Sequence, residues 1–198
     1  MMLIEQSAVP SGSLPIAELR EHLRLGTGFS DDAGQDSLLE DLLRAALAAV
    51  EQRTTKAVLQ RSFRWTLAAW RGLDAEVLPV APVWAVTAVR VLDADGGETE
   101  IAHTAYGLQL DAHRPCLVSR SYALPTVPVG GSVEIDFDAG YGADWAAVPQ
   151  DLGRAVLLLA AHYHEHRHAV GDRTYRVPEG VTALLAPYRN LRLFGARG

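Results

Sequence analysis

Pro149-Gln150-Asp151-Leu152-Gly153-Arg154-Ala155-Val156-Leu157-Leu158-Leu159-Ala160-Ala161-His162-Tyr163-His164-Glu165-His166-Arg167-His168 is the most regular stretch of the chain. Leu152, Val156, Leu159 and Tyr163 recur at helical spacing, and Pro149 suits a first helical turn. Leu157, Leu158, Ala160 and Ala161 fill the other faces, so the middle of the helix is apolar nearly all round. Such a helix is buried on more than one side. In a chain of 198 residues, a neighbouring subunit is one cover for it. Gly171 is the natural C-terminal stop.

The end of the stretch carries a different message. His164-Glu165-His166-Arg167-His168 satisfies H-E-x-x-H, and Gly171 extends it toward H-E-x-x-H-x-x-G. On one continuous helix, His164 and His168 would share a face and reach one zinc ion, with Glu165 as general base for a bound water. His162 and His166 form a second i, i+4 pair, rotated by about 160° at 3.6 residues per turn. A catalytic zinc needs a third protein ligand. The longer pattern asks for His at 174, where this chain has Thr174. Asp172, His103 and His113 lack supporting spacing. Histidines in a last turn also favour the negative end of the helix dipole and bond its free carbonyls. His164 and His168 therefore remain weak metal candidates; no catalytic residue and no cofactor is assigned.

Composition narrows the remaining classes. The formal charge is −6 and the pI about 5.6, which argues against a basic nucleic-acid coat or membrane-surface face. Cys116 is the sole cysteine, so there is no internal disulfide and no cysteine-based zinc site. Met1 to Gly12 has no basic n-region and no long apolar run, so no signal peptide is expected. Nowhere do about 18 apolar residues run together, as a membrane span requires.

Upstream, a short helix is expected from Ser13–Pro15 to Gly26, with Ile16, Leu19 and Leu23 as its stripe. Residues 26–34 read as a loop. Ser37 and Glu40 have the spacing of a capping box, and Leu39, Leu43, Ala46, Leu47 and Val50 continue a second helix to about Lys56. From Arg61 the period becomes two: Phe63, Trp65 and Leu67 alternate with polar residues. Val83–Leu92 reads as a strand, Asp93-Ala94-Asp95-Gly96-Gly97 as a turn, and Thr99–His103 as the hairpin partner. Shorter strands are expected at Gly107–Leu110, Leu117–Arg120 and Ser132–Phe137. Gly140-Tyr141-Gly142 closes the β region. A last helix runs from Glu179 to Leu185, with Pro187 as kink or end.

The expected fold is α+β: a helical bundle of about four helices with a small antiparallel β-sheet or barrel inserted between helices 2 and 3. One domain covers 1–198, with its helical part at 13–58 and 148–193 and its β insertion at about 61–140. Other sites are thin. Asp136, Asp138 and Asp144 read as solvated loop carboxylates ahead of a cation site. Trp65, Trp70, Trp84 and Trp145 read as core or interface anchors.

The order of these elements resembles the head–tail connector, or adaptor, proteins of tailed phages and phage-like gene transfer agents. Asp41 to Glu51 leads into Arg61-Ser62-Phe63. Leu78-Pro79-Val80-Ala81-Pro82-Val83 precedes a Val-rich strand and an Asp-Gly turn. Val133-Glu134-Ile135-Asp136-Phe137-Asp138-Ala139-Gly140-Tyr141-Gly142 leads to Val148-Pro149 and the apolar helix. Val177-Pro178-Glu179-Gly180-Val181-Thr182-Ala183-Leu184-Leu185-Ala186-Pro187-Tyr188-Arg189 closes the likeness.

The resemblance implies a non-enzymatic homo-oligomeric ring, commonly of twelve copies, in the neck of a phage or phage-like particle assembled in the bacterial cytoplasm. Such a ring lies below the portal vertex, prolongs the DNA channel and docks a head–tail stopper or other tail component. DNA passes without sequence-specific binding. An acidic wall is compatible with that, since tight phosphate contacts come from Lys and Arg. The helical part packs between neighbours, and the C-terminal segment engages the portal protein. This implies an interface at Val177, Pro178, Leu184, Leu185, Pro187, Tyr188, Arg189 and Leu191. The reading that competes is a small zinc-dependent hydrolase using the His164–His168 run.

Overall fold

The computed structural model describes residues 1–25, 32–166 and 177–189. It is α+β, with four α-helices and two antiparallel sheets among the described residues. The chain divides into two compact units. One comprises Met1–Pro10 and Ala57–Ala143, the other Ser11–Lys56 and Asp144–Gly198.

The first unit is the β unit. Its larger sheet has the order β1-β2-β8-β4-β5, from β1 (Met2–Glu5), β2 (Arg61–Leu67), β8 (Ser132–Ala139), β4 (Val83–Leu92) and β5 (Glu98–Glu100). The smaller sheet has the order β3-β7-β6, from β3 (Ala75–Val77), β7 (Cys116–Ser119) and β6 (Tyr106–Gln109). The larger sheet is open, with β1 at one edge and β5 at the other, so the expectation of a barrel gives way to two sheets.

Strand β8 is central, pairing β2 on one side and β4 on the other. Its alternation shows why. Val133, Ile135, Phe137 and Ala139 are all fully buried, as period two requires for one face of a strand. Phe137 stacks on Phe63 of β2 with ring centroids 5.6 Å apart. At the end of β8, Gly140 has φ 131°, and a Cβ there would lie 2.4 Å from the Gln60 Cα. Only glycine satisfies both conditions, which is what the Gly140-Tyr141-Gly142 signal encodes.

Two strands were absent from the sequence expectation. β3 is three residues long. β1 has no alternation to reveal it, because all four of its residues are exposed. The hairpin partner of β4 is Glu98–Glu100 rather than Thr99–His103, since the Asp93 side chain accepts from the Gly97 and Asp95 amides and ends the turn early.

The second unit holds α1 (Ile16–His22), α2 (Asp32–Thr54), α3 (Gln150–Glu165) and α4 (Glu179–Leu185). α2 and α3 pack along each other, and α1 and α4 touch both. Leu39, Leu43, Ala46 and Val50 of α2 are fully buried, as their spacing predicts. The start of α2 differs from the expectation. Ser37 and Glu40 lie inside the helix, which begins at Asp32. Glu40 does not cap: its carboxylate accepts from Ser11 Oγ at 2.7 Å and from Arg44 at 2.7 and 2.9 Å. Those partners hold its carboxyl below the usual range. No helix among the described residues is long and apolar enough to cross a membrane.

The double pairing of β8 makes a prediction. Phe137→Ala deletes a fully buried aromatic ring from the central strand and should cost about 3–5 kcal/mol. Urea unfolding followed by near-ultraviolet dichroism of the β unit's tryptophans would measure it.

Candidate functional site

The long helix and the tail after it were the expected interaction elements. Along α3, Leu152, Gly153, Ala155, Val156, Leu159, Ala160 and Ala161 are buried. Leu157 and Leu158 are half-buried beside exposed Arg154. The helix is thus covered on most of its circumference and retains an apolar strip flanked by a cation.

The end of α3 bears on the histidine run. The helix stops at Glu165, and His166 follows as its cap. The His166 amide donates to the His162 carbonyl at 3.1 Å, and its Nδ1 lies 2.9 Å from the same oxygen. The His162 and His166 rings sit 4.2 Å apart. These contacts are helix-end chemistry, and they place the stop before Gly171, the expected one. Of the H-E-x-x-H residues, His164 and Glu165 lie in the last turn of the helix and His166 caps it. His164 is half-buried and Glu165 exposed in the last turn; His168 lies outside the described residues, as do Asp172 and Thr174. Among the described residues, no three His, Cys, Asp or Glu side chains converge on one point.

The tail is built as its prolines suggest. Pro178 precedes α4, and Pro187 lies in the single 3-10 turn Ala186–Tyr188 that follows it. Of the expected interface residues, Leu185 turns inward with Val181 and is 1% exposed. It fixes α4 to its own unit. Val177, Pro178, Leu184 and Tyr188 are half-buried, Pro187 and Arg189 are exposed, and Leu191 lies outside the described residues. The Tyr188 hydroxyl donates to Asp151 Oδ1 at 2.5 Å, tying the tail to the first turn of α3. Sequence spacing gives no signal for that bond, because its partners are 37 residues apart.

The β unit carries the charge. On the outward face of the larger sheet, Arg64 binds Asp136 in a two-pronged pair, Nε–Oδ1 2.7 Å and Nη2–Oδ2 2.9 Å. Arg90 reaches the same carboxylate at 2.8 Å and Glu98 at 3.0 Å. Glu134 completes the network at 3.5 Å from Arg64 and 3.8 Å from Arg90. The register explains it, since Arg64 lies opposite Asp136 and Arg90 opposite Glu134. Asp138 accepts from Ser62 Oγ at 2.6 Å. Asp136 and Asp138 are thus strand residues held by an arginine and serine set, not solvated loop carboxylates. The Arg64 guanidinium, then Arg90, holds the Asp136 carboxyl below its ordinary value.

The four tryptophans separate. Trp65 is core, and Trp70 is half-buried with its indole N–H on the Pro125 carbonyl at 2.7 Å. Trp145 is half-buried against Gly153. Trp84 is 57% exposed although its indole N–H is fixed on the Gly140 carbonyl. It borders an open hollow of about 410 Å³ with Pro82, Val83, Leu110, Asp111, Ala112 and Tyr141.

No protein-family model and no curated protein matches the chain. Solved structures do. A chain from the neck of an empty gene transfer agent particle, computed with C6 symmetry, is 49% identical over the whole of both chains, with a TM-score of 0.90. A chain from the virion of a native gene transfer agent particle is 50% identical with a TM-score of 0.86, again over both full lengths. A third, from the neck of a native particle computed with C12 symmetry, is 46% identical with full coverage and a TM-score of 0.85. The chain belongs to the head–tail connector (adaptor) family of phage-like particles.

The charge network sets a pH dependence. Because the folded Asp136 has a lowered pKa, its stabilisation is fully present above the unfolded value near 3.8 and is lost as pH falls through the folded value. Thermal unfolding between pH 5 and pH 2 should show a steep acid limb (pH values about those bounding a depressed carboxylate titration), and Asp136→Asn should flatten it.

Proposed function

We propose that the chain is a structural head–tail adaptor. It forms a ring of copies below the portal vertex, extends the channel through which DNA leaves, and docks the next tail component. The observation that carries this reading is the full-length likeness, at 46–50% identity, to chains from gene transfer agent necks and virion. Partial coverage would have supported only a shared fold; here both chains match from end to end.

The two units serve as one connector domain. The helical unit supplies the contact between neighbours through the Arg154–Leu157–Leu158 strip of α3, where two half-buried leucines have apolar surface left to cover. The tail engages the portal protein through Val177, Pro178, Leu184, Tyr188 and the exposed Pro187 and Arg189. Leu185 acts from within, by holding α4 in place. The C6 and C12 symmetry with which the related necks were computed fits twelve copies in a ring. DNA passes without sequence-specific contacts. The particle is assembled in the bacterial cytoplasm, and the chain has no catalytic role.

Electron microscopy of the chain mixed with its portal protein tests this directly. A ring of density below the portal is the expected result, and a portal that stays bare sinks the adaptor reading. Tyr188→Phe should weaken portal attachment without unfolding the helices. It removes a hydrogen bond to a carboxylate, worth about 1.5–3 kcal/mol, and hydrogen exchange should quicken in residues 179–188. In the same preparations Glu165→Gln should leave ring formation unchanged.

A further inference from the structure

Strand β1 is unusual for an edge strand. Met2, Leu3 and Ile4 are 56%, 40% and 42% exposed, and the strand carries neither proline nor lysine to discourage association. An exposed terminal strand ordinarily frays. This one is fastened: Glu5 pairs with Arg61 at 2.9 Å, the Gln6 amide donates to the Ser62 carbonyl at 2.8 Å, and the Ser62 amide donates to Ser7 Oγ at 3.0 Å. The sheet therefore holds an apolar edge rigidly in solvent.

The opposite edge carries the complement. β5 covers β4 only at Arg90–Leu92, so the Val83–Thr87 stretch of β4 is an edge as well. It is bulged at two places, which discourages strand addition there. It carries the fixed Trp84 and the hollow bordered by Leu110 and Tyr141, with Asp111 as its only charged side chain. In the order β1-β2-β8-β4, the two features stand three strand spacings apart, roughly 14 Å at about 4.8 Å per strand. A head-to-tail contact repeated round a rotation axis needs two unlike surfaces on each chain, and a sheet with an apolar strand at one edge and an apolar hollow at the other supplies them.

We propose that neighbouring copies meet through the β units, the apolar side chains of β1 in one copy seating against Trp84 in the hollow of the next. This rests on the ring reading above and adds the residues that make one of its contacts. Trp84 is the anchor, since large aromatics with little freedom left to lose dominate such interfaces. The contact is made by side chains, because the bulged edge beside the hollow does not offer a regular ladder.

The test uses particles carrying the full-length chain with Cys116→Ser, Ile4→Cys and Leu110→Cys, treated with a short bismaleimide. The expected product is a ladder of chain multiples on a denaturing gel, absent from either single-cysteine chain. Electron microscopy of the same particles reports the ring independently. A ring in the micrographs with no ladder overturns the β-unit contact and leaves the adaptor reading standing. Particles with no ring remove both. Dimers from Ile4→Cys alone indicate a two-fold contact and also overturn the proposal. Ile4→Asp and Trp84→Ala should each lower incorporation into the ring roughly tenfold or more, and for Ile4→Asp, at an exposed position, the thermal unfolding of the free chain should stay close to that of the parent. Unchanged incorporation in both would overturn the contact.

Discussion

The pairing of β8 with β2 on one side and β4 on the other is the constraint on which the β unit depends. β8 is the last strand among the described residues, and the five-stranded sheet is incomplete until it arrives. The buried half of β8 supplies the middle of the core, and its outward half supplies Glu134 and Asp136 to Arg64 and Arg90. One strand therefore joins the apolar layer and the charge network, and one register serves both. A slip by one residue would turn Phe137 outward and bury Asp136, so the two halves of the pattern enforce each other.

The chain path adds a second constraint. β1 precedes α1 and α2, while β2 follows them. The β unit is thus an insertion in the helical unit and is also interrupted by it. Its first and last strands are separated by more than a hundred residues of sequence, and closing such contacts carries a loop-entropy cost before any of them stabilises the fold. Gly140 brings the chain against Leu59–Gln60, the segment that enters β2, so the exit from β8 and the entry to β2 are fixed by one close approach.

What could be read from the sequence follows from what each signal measures. Alternation gave β2 because burial on one face dictates it, the Val-rich composition of Val83–Leu92 gave β4 to its ends, and β8 runs two residues beyond its expected end at Phe137. Helical spacing gave the buried faces of α2 and α3, and two prolines gave the bounds of α4. Signals borne by single side chains failed where a long-range partner competed for the same atoms. Ser37 and Glu40 have the spacing of a cap, but Ser11 and Arg44 engage Glu40, and the helix begins earlier. Gly171 looked like a stop, but His166 ends α3 first. β1 left no pattern at all, because a strand exposed on both faces has no buried side for the sequence to record. The same reasoning divides the expected interface: Val177 and Tyr188 lie part-way out, while Leu185 has the burial of a core residue that the tail's composition alone could not separate from its neighbours.

An acidic chain that assembles in a ring must bring like charges together at every contact. Each copy carries a formal charge of −6, and repulsion between exposed charges extends only about 8 Å at physiological ionic strength. Short-range apolar contact can exceed that repulsion where carboxylates are kept away or neutralised. The β unit does both. Its outward carboxylates Glu134 and Asp136 are held by arginines of the same sheet, and Met2, Leu3, Ile4, Trp84 and Leu110 place part of its exposed apolar surface at an edge and a hollow that contain little charge. Affinity between two free copies would then be modest, because few contacts must also offset the entropy of association. On the adaptor reading proposed above, attachment to a portal that displays repeated sites would supply the remainder, by making each further contact effectively intramolecular. On that reading a chain built this way would stay monomeric in free solution and still form a ring on a portal, and its net charge and its exposed apolar edge would be parts of the same mechanism.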